Sequence, residues 1–338
     1  MGKRIVLHVG AMKSGTSYLQ TLLMDNKARL AEHGVVVPGA RWGDQVAGVS
    51  HVLERQKVMR KPGEDAWQSL VDEVQAHDGT SVISMEFLGP VGLPKIEKVR
   101  DSFDGMRVEA VITARDLGRN IPAMWQEFVK NGGTTSLERY VEKVREREEE
   151  GARFWREQSI GAMARRWSDV LGLDAVTVVT VPKPGVPGEE LWKRFARTLE
   201  VDPGVVVQPA RSNESLGAAS VEVVRRLNES LGDLDFGRYA PVVKHRLAKK
   251  TLGPRRAEEP AIGFEVPGWL VPAADRMVAN IDALGVAVIG DLAELRPLPT
   301  PGVAPGAVPA EQQLAAATAG MEGLARALVA LRERYDAP

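Results

Sequence analysis

The sequence contains no cysteine, and that absence removes several kinds of chemistry. Its 338 residues also include only five histidines. Disulfide bonds, thiolate metal centres and cysteine nucleophiles are therefore excluded. Few soft ligands remain for a transition metal.

The chain also has little net charge. It carries 44 Lys and Arg residues against 45 Asp and Glu residues, which gives a formal net charge of −1. A chain with this balance has no net field that draws it to nucleic acid or to an anionic membrane. We therefore expect neither as a partner, and any site that binds an anion must be built locally.

Long apolar runs are scarce as well. The first run, residues 5–9, is too short for the core of a signal peptide and leads directly into a glycine-rich turn. Charges, glycines or prolines interrupt the other candidates before they reach the roughly 18 apolar residues that cross a membrane. These features predict a soluble cytoplasmic protein.

Short apolar runs alternate with longer amphipathic segments along the first 200 residues. The short runs are rich in β-branched residues, as buried strands are, and the longer segments have helical periodicity. This alternation predicts an α/β fold, with a P-loop-like parallel sheet flanked by helices. The predicted strands are 5–10, 35–38, 81–85, 108–113 and 175–181, and the predicted helices are 16–32, 64–76, 119–131, 136–148, 155–171 and 189–200.

The last third of the chain has a different organisation. Beyond about residue 201 the strand pattern fades, and we assign residues 1–295 to one α/β domain with helical elaborations. Residues 296–309 are rich in proline and glycine, which is typical of a linker. Residues 310–338 are predicted to form an amphipathic helix, a helical C-terminal appendage to the domain.

That helix carries an apolar stripe. Its members alternate steps of three and four residues, the spacing that keeps one face toward a partner helix. We favour a homodimer through this helix, with docking onto its own domain as the alternative. The stripe consists of Leu314, Ala317, Met321, Leu324, Leu328 and Leu331.

The segment HVGAMKSGTSYLQTLL, residues 8–23, has the composition of an anion-binding turn between a strand and a helix. The strand is predicted to end at Gly10 and the helix to begin at Thr16. Glycines let the backbone approach an oxyanion, and a helix N-terminus adds partial positive charge. Lys13 adds a full charge. In a nucleotide triphosphatase the lysine directly follows the second glycine, whereas Lys13 precedes Gly15 by two positions.

This loop resembles the phosphosulfate-binding loop of the sulfotransferase superfamily. That loop reads approximately PKSGTT after the first strand, and residues 12–17 read MKSGTS. The resemblance covers about residues 4–230. It implies an enzyme that transfers a sulfuryl group from 3′-phosphoadenosine 5′-phosphosulfate (PAPS) to a hydroxyl or amine without a metal ion. It also implies that Lys13 contacts the bridging oxygen of PAPS, and that its 5′-phosphate and sulfuryl oxygens are bound by Ser14, Gly15, Thr16 and Ser17.

A second element of the family is an arginine at the end of a strand, with a serine eight residues later. Both hold the 3′-phosphate of the nucleotide. Arg115 follows the strand at 108–113 in this way, but Ala123 stands at the serine position. Arg119 is a candidate to replace the serine. Alternatively, Arg115 pairs only with Asp116 or donates to a carbonyl.

Residues 211–217 resemble the distal nucleotide loop of bacterial sulfotransferases. Arg211, Asn213 and Ser215 gather hydrogen-bond donors before a predicted helix, whose N-terminus favours anions. By this resemblance, the three residues bind the nucleotide. A plain N-cap explains Asn213 or Ser215 equally well.

Sulfuryl transfer needs a base close to the proton of the acceptor. Glu86 follows a predicted strand and has apolar neighbours, and several carbohydrate sulfotransferases use a glutamate as base. His51, in the region after the second strand, is the alternative. His8 lies inside the first strand, where a histidine is more often part of the core than a catalyst.

Two other functions stay open from the sequence. One is a P-loop kinase-like enzyme, although that chemistry ordinarily uses a lysine after the second glycine and a carboxylate for magnesium. The other is a catalytically silent nucleotide-binding or scaffold protein, which Ala123 keeps open. We expect the acceptor to be a small molecule or a carbohydrate. Its identity cannot be read from the sequence, because variable loops build such pockets.

Overall fold

The structure is a computed structural model that describes residues 2–55, 65–209, 215–232 and 234–335. It contains a six-stranded sheet, in which every neighbouring pair is parallel, in the order β2-β3-β1-β4-β5-β6. The strands are β1 (Arg4–Gly10), β2 (Val35–Val36), β3 (Thr80–Ser84), β4 (Arg107–Ala114), β5 (Val176–Thr180) and β6 (Ala287–Ile289).

The α-helices flank this sheet or form a separate helical part, and a π-helix (Ala240–Leu252) also occurs. The α-helices are α1 (Thr16–Asp25), α2 (Lys27–Glu32), α3 (Trp42–Val52), α4 (Ala66–Gln75), α5 (Leu93–Asp101), α6 (Leu117–Lys130), α7 (Leu137–Glu146), α8 (Glu149–Gln158), α9 (Ile160–Leu171), α10 (Glu190–Leu199), α11 (Ala218–Leu231), α12 (Phe236–Tyr239), α13 (Leu270–Leu284) and α14 (Ala310–Tyr335).

β1 stands where the strand order reverses. The chain proceeds from β1 to β2 and β3 on one side, and then passes to β4 on the other side. In open α/β sheets, ligands bind outside the carboxyl ends of the strands at such a point. The carboxyl ends of β1, β3 and β4 are therefore where a site is expected.

The chain forms two compact units, each made of three separate segments. Unit 1 contains the whole sheet and consists of Met1–Leu117, Trp155–Ala210 and Leu270–Arg296. Unit 2 is mainly helical and consists of Gly118–Phe154, Arg211–Trp269 and Pro297–Pro338. Residues 1–295, which the sequence suggests as one domain, are thus divided between the two units.

Unit 1 buries its sheet against helices. Val6, Val82 and Val111 of three adjacent strands share an apolar cluster with residues of α1, α2 and α10. A second layer is formed by α9, which packs against β4 and β5, while α5 and α13 pack against α9. Burying the strands on helices accounts for their nearly continuous apolar sequences.

Unit 2 is held together by helix packing and buried hydrogen bonds. α11, α14 and the π-helix pack against one another. Asn228 of α11 is buried and donates to the carbonyls of Val129 and Gly133, each at 2.8 Å. It also accepts a hydrogen bond from the Tyr239 hydroxyl at 2.7 Å. These bonds satisfy polar groups that would be costly to bury alone.

The predicted fold class is confirmed, and the five predicted strands correspond to β1–β5. β6, α3 and α5 have no counterpart among the predicted elements. β6 is only three residues long and pairs at the edge of the sheet, so it offers too few positions for an alternating pattern. The predicted helix at 155–171 is interrupted, because α8 ends at Gln158 and α9 begins at Ile160.

The predicted linker at 296–309 is ordered by backbone pairing inside unit 2. Val303 forms a parallel bridge with Ile262, and Thr300 forms an antiparallel bridge with Phe264. The segment continues through a 3₁₀ turn at Pro305–Ala307. A segment with these bonds is not a free spacer, despite its proline and glycine content.

α14 docks within unit 2 through small residues. Ala316 is fully buried, and a Cβ built on Gly320 would lie 3.0 Å from Leu247 Cδ1. A Cβ on Gly323 would lie 2.3 Å from Thr251 Cγ2. The absence of side chains at these glycines therefore allows the helix to approach the π-helix closely.

The predicted apolar stripe of α14 lies only partly away from this contact, because Ala317 and Leu324 are half-buried. Leu314, Met321 and Leu328 are 65%, 63% and 67% exposed. By length and composition alone, the helix at Ala310–Glu333 is long and apolar enough to cross a membrane. This differs from the expectation from the sequence that no segment is long and apolar enough to do so. A cytoplasmic location stays a prediction.

Candidate functional site

The loop between β1 and α1, residues 10–15, uses positive φ angles at three positions. The values are 132° at Gly10, 61° at Lys13 and 84° at Gly15. The pairing of β1 with β4 shifts register between His8 and Gly10, so a bulge precedes the loop. Positive φ is uncommon for a lysine, and such conformations cluster at functional sites.

The N-terminus of α1 adjoins this loop and has no side-chain cap. Its N-cap residue is Gly15, and the Leu19 N–H donates to the Gly15 carbonyl at 3.1 Å. The N–H groups of the first turn have no acceptor within a helix. Together with the charge of Lys13, they give this end of the helix the donors and the potential of an anion site. Thr16 is buried there, whereas Ser17 is exposed.

Two carbonyl groups of the loop accept hydrogen bonds from side chains that lie outside the loop. Gln158 Nε2 donates to the Met12 carbonyl at 3.0 Å, and Arg115 Nη1 donates to the Lys13 carbonyl at 3.2 Å. The C=O and N–H of a trans peptide point in opposite directions. Holding the Met12 carbonyl therefore directs the Lys13 N–H to the other side of the loop.

Arg115 follows β4 directly, so its side chain starts at the carboxyl edge of the sheet. The bond to the Lys13 carbonyl makes it part of the support of the loop. This corresponds to one of the three roles that the sequence leaves open for Arg115, donation to a carbonyl. Binding of a 3′-phosphate by Arg115 stays a prediction.

The Ser14 hydroxyl points into unit 1. It is fully buried, donates to the Ala11 carbonyl and lies 2.7 Å from Thr113 Oγ1. Thr113 Oγ1 lies 2.9 Å from the Gly10 carbonyl oxygen and 3.1 Å from His8 Nε2. Ser14 can therefore reach a ligand only through its main chain.

Glu86 lies beside the loop, just beyond the carboxyl end of β3. A Cβ built on Gly10 would lie 3.8 Å from both Cα and Cβ of Glu86. Gln20 Nε2 donates to Glu86 Oε2 at 2.7 Å and to the Ser84 carbonyl at 3.2 Å. Because Gln20 is a buried residue of α1, the carboxylate is tied to the helix that begins at the loop.

His51 lies in the last turn of α3 rather than in a loop. Within the described part of the chain, its Nδ1 is buried and has no hydrogen-bond partner. α3 contacts the 3₁₀ turn Glu86–Leu88. Both candidate bases therefore belong to neighbouring elements of unit 1, and Glu86 is the one that adjoins the loop.

The other predicted nucleotide contacts belong to unit 2. Arg119 lies in the first turn of α6. Ser215 is half-buried and lies shortly before α11, whose N-cap is Gly217. Arg211 and Asn213 lie outside the described residues. The structure thus brings together Lys13, Gly15, Arg115 and Glu86 in unit 1.

Gln20, Thr113 and Gln158 have no place in the sequence-based site, although each supports the loop or Glu86. Gln20 lies among the buried leucines of α1, and a long polar side chain at such a position is a signal that the sequence carries. Thr113 is an unremarkable strand threonine until the register of β1 and β4 is known. Gln158 lies 146 positions from its partner, so sequence spacing does not reveal the contact.

No family model matches the chain, and no curated protein matches it. A solved structure of a sulfotransferase from Alicyclobacillus acidocaldarius is similar over 71% of this chain and 99% of its own, with 17% identity and a TM-score of 0.43. A similarity of this size does not decide function, so the functional argument depends on the geometry of the loop.

Proposed function

We propose that this chain is a sulfotransferase that moves a sulfuryl group from PAPS to a hydroxyl or amine acceptor. The observation that carries the proposal is the loop at residues 10–15, which has positive φ at Lys13 and leads into a helix whose N-cap is a glycine. This arrangement provides N–H donors and one fixed positive charge for an oxyanion.

The donor set fits PAPS, which would supply the sulfuryl group and carry the negative charge that this loop is suited to bind. Lys13 would neutralise the charge that builds on the 5′-phosphate as its bond to sulfur breaks. The first-turn N–H groups at Thr16 and Ser17 would bind phosphate or sulfuryl oxygens. Such preorganised donors lower the barrier when they bind the transition state more strongly than the ground state.

Glu86 would act as the base. The acceptor oxygen or nitrogen attacks sulfur opposite the leaving phosphate, and its proton passes to the Glu86 carboxylate. The position of Glu86 beside Gly10 favours it over His51, because a base must lie close to the reacting group. The bond from Gln20 would keep the carboxylate in place.

Arg115 would hold the 3′-phosphate in addition to supporting the loop. Binding of the nucleotide by Arg119 and Ser215 stays a prediction from the sequence alone. We expect a small-molecule or carbohydrate acceptor. Since Ser14 uses its hydroxyl inside unit 1, its contribution would come from the main chain.

Calorimetric titration tests the donor. We expect 3′-phosphoadenosine 5′-phosphate (PAP), the spent nucleotide, to bind without magnesium, and ATP with magnesium to bind far more weakly. Release of PAP from PAPS in the absence of added acceptor then tests for chemistry. Preference for ATP with magnesium would indicate a kinase-like enzyme, whereas binding of PAP without any turnover would favour the silent nucleotide-binding protein.

A further inference from the structure

A chain of buried hydrogen bonds runs below the loop at residues 10–15. It joins Ser84 of β3, His8 of β1, Thr113 of β4 and Ser14 of the loop. The distances are 2.7 Å from Ser84 Oγ to His8 Nδ1, 3.1 Å from His8 Nε2 to Thr113 Oγ1, and 2.7 Å from Thr113 Oγ1 to Ser14 Oγ. All four side chains are at most 2% exposed.

The direction of this chain follows from counting protons. The Ala11 carbonyl oxygen can only accept a hydrogen bond, so the Ser14 hydroxyl donates its single proton to it. Ser14 then has no proton for Thr113, so the single hydroxyl proton of Thr113 is shared between the Ser14 oxygen at 2.7 Å and the Gly10 carbonyl oxygen at 2.9 Å. Thr113 therefore has no proton left for His8, and must accept one from it.

The same count fixes the tautomer of His8. Its Nε2 carries the proton and donates to Thr113, so its Nδ1 accepts from the Ser84 hydroxyl. We propose that His8 is a positioning residue for the anion loop. As the Nε2–H tautomer, it directs the hydroxyl groups of Thr113 and Ser14 toward the carbonyls at the start of the loop.

The surroundings of His8 suit a permanently neutral ring. It is fully buried, and the ring of Phe195 meets it edge to face at a centroid distance of 5.0 Å. Burial lowers the pKa of His8 to about 3. A neutral imidazole has one donor and one acceptor nitrogen. His8 can therefore accept a hydrogen bond on one side and donate one on the other, as its position in this chain of hydrogen bonds requires.

This inference rests on the proposed function only in its claim that the supported loop binds PAP. Loss of the chain would remove the bond from Thr113 to the Gly10 carbonyl and leave the Ser14 hydroxyl without its partner on β4, which would loosen the backbone that presents the Lys13 N–H. Removing a single hydrogen bond of this chain should weaken anion binding by roughly fivefold, which corresponds to a net contribution of about 1 kcal/mol, and removing several should weaken it more.

The first experiment is spectroscopic. Long-range ¹H–¹⁵N correlation spectra of the full chain at pH 7, with the signals assigned by their loss in His8→Gln, report which ring nitrogen carries the proton. We expect the Nε2–H tautomer with and without PAP. The Nδ1–H tautomer or a charged ring would overturn the proposal, whatever the protein binds.

The second experiment measures PAP affinity by calorimetry. Thr113→Val keeps the shape of the side chain but breaks the chain, and should weaken binding by about tenfold, whereas Thr113→Ser should stay within about threefold. If Thr113→Val does not fold, Ser84→Ala takes its place. Unchanged affinity in the variant that breaks the chain would overturn the positioning role.

Ser81→Ala is the matched control for Ser84→Ala, because both remove a buried hydroxyl from β3. Among the described residues, Ser81 Oγ is buried and has no hydrogen-bond partner.

If the wild-type protein does not bind PAP, the proposed function fails. Amide hydrogen exchange at residues 11–16 then tests the inference by itself. Faster exchange in Thr113→Val than in Ser81→Ala supports it, and equal exchange overturns it.

Discussion

Lys13 is the residue whose charge the proposed chemistry needs most. Lys13→Ala should lower turnover of PAPS by about 10²- to 10³-fold, because the leaving phosphate loses its main counter-charge. The measurement is the rate of PAP release. Lys98→Ala, which removes an exposed lysine of α5 that pairs with Glu54, is the control and should be neutral. Equal rates for Lys13→Ala and the wild type would refute the assignment of the loop.

Gln20 offers a separate test of Glu86. Gln20→Met removes the amide that holds Oε2 and should lower kcat by about tenfold or more, since hydrogen bonds to charged groups contribute roughly 1.5 to 3 kcal/mol. PAP affinity should hardly change, because Gln20 bonds to Glu86 and Ser84 rather than to the loop. Calorimetry and rate measurements on the same preparation separate the two effects.

Gln45→Met is the matched control for that experiment. Gln45 is also fully buried and bonds to Ser84, but through the Ser84 N–H. Gln45→Met should therefore lower the free energy of unfolding more than it lowers kcat. If both variants lower kcat equally, Gln20 acts through the strand rather than through Glu86.

Glu86→Gln should remove most activity and keep PAP affinity. If only His51→Ala does so, His51 is the base.

His8 should make the stability of the protein depend on pH. Its pKa is about 3 in the folded chain and 6.5 in the unfolded chain. Above pH 6.5 both states are neutral and the full stability is present. As pH falls from 6.5 toward 3, only the unfolded chain takes up the proton, so stability falls by at most about 1.4 kcal/mol per pH unit.

Urea unfolding of the wild type and His8→Gln between pH 7 and pH 4 measures this effect. Carboxylates contribute to both curves and largely cancel in the difference. The stability advantage of the wild type over His8→Gln should shrink as the pH falls. A constant advantage over that range would mean that His8 is not held neutral by burial.

At the level of elements, Gly15 joins the loop to α1 and should tolerate no side chain. Its φ is 84°, and a Cβ there would lie 2.3 Å from Leu191 Cδ2 of α10. Gly15→Ala should cost about 2 to 4 kcal/mol, from backbone strain and overpacking together. Urea unfolding measures the loss.

Two variants separate these causes. Gly34 has a φ of 76° and nothing within 4 Å of a built Cβ, so Gly34→Ala should show the backbone cost of about 1 to 2 kcal/mol alone. In a Leu191→Ala background, Gly15→Ala should cost less than in the wild type, because the clash is gone. The same cost in both backgrounds would exclude Leu191 as the cause.

The strand–loop–helix unit at residues 4–25 could be predicted from sequence because all of its signals are local. An apolar run, glycines at the turn and helical periodicity follow one another without a gap. The residues that support the loop could not be predicted from the sequence. Thr113 and Gln158 are brought to the loop only by the register of the strands and the packing of the helices. Glu86 lay within reach of prediction because parallel strands end at one edge. Gln20 stands out in the sequence as a polar residue among the leucines of α1, but its bond to Glu86 depends on tertiary packing.

At the level of the whole molecule, the two units interleave along the chain, which explains why a linear division fails. Each unit consists of three segments, so no single composition shift marks a boundary. The segment at 296–309 has the composition of a linker, yet it pairs with residues 262–264 inside unit 2. Pairing between distant segments is decided by tertiary contacts that composition does not encode.

The exposed face of α14 leads to the last prediction, a homodimer. Its docked face uses Ala316 and two glycines, and the exposed members of the apolar stripe can meet a second copy. Leu314, Met321 and Leu328 recur every seven residues, and such a stripe is self-complementary across a two-fold axis. We expect a dimer at micromolar concentration, measured by sedimentation.

Replacing Leu314, Met321 and Leu328 by serine should give a monomer whose unfolding midpoint is close to that of the wild-type subunit, because these three side chains are exposed. Deleting residues 310–338 is a poorer test, since it would also uncover the π-helix that α14 covers. Gly320→Leu is the contrasting variant: a Cβ there already lies 3.0 Å from Leu247, so it should destabilise the docked face while leaving the stripe intact. If the wild type and the triple variant are both monomeric at micromolar concentration, the stripe does not mediate dimerisation.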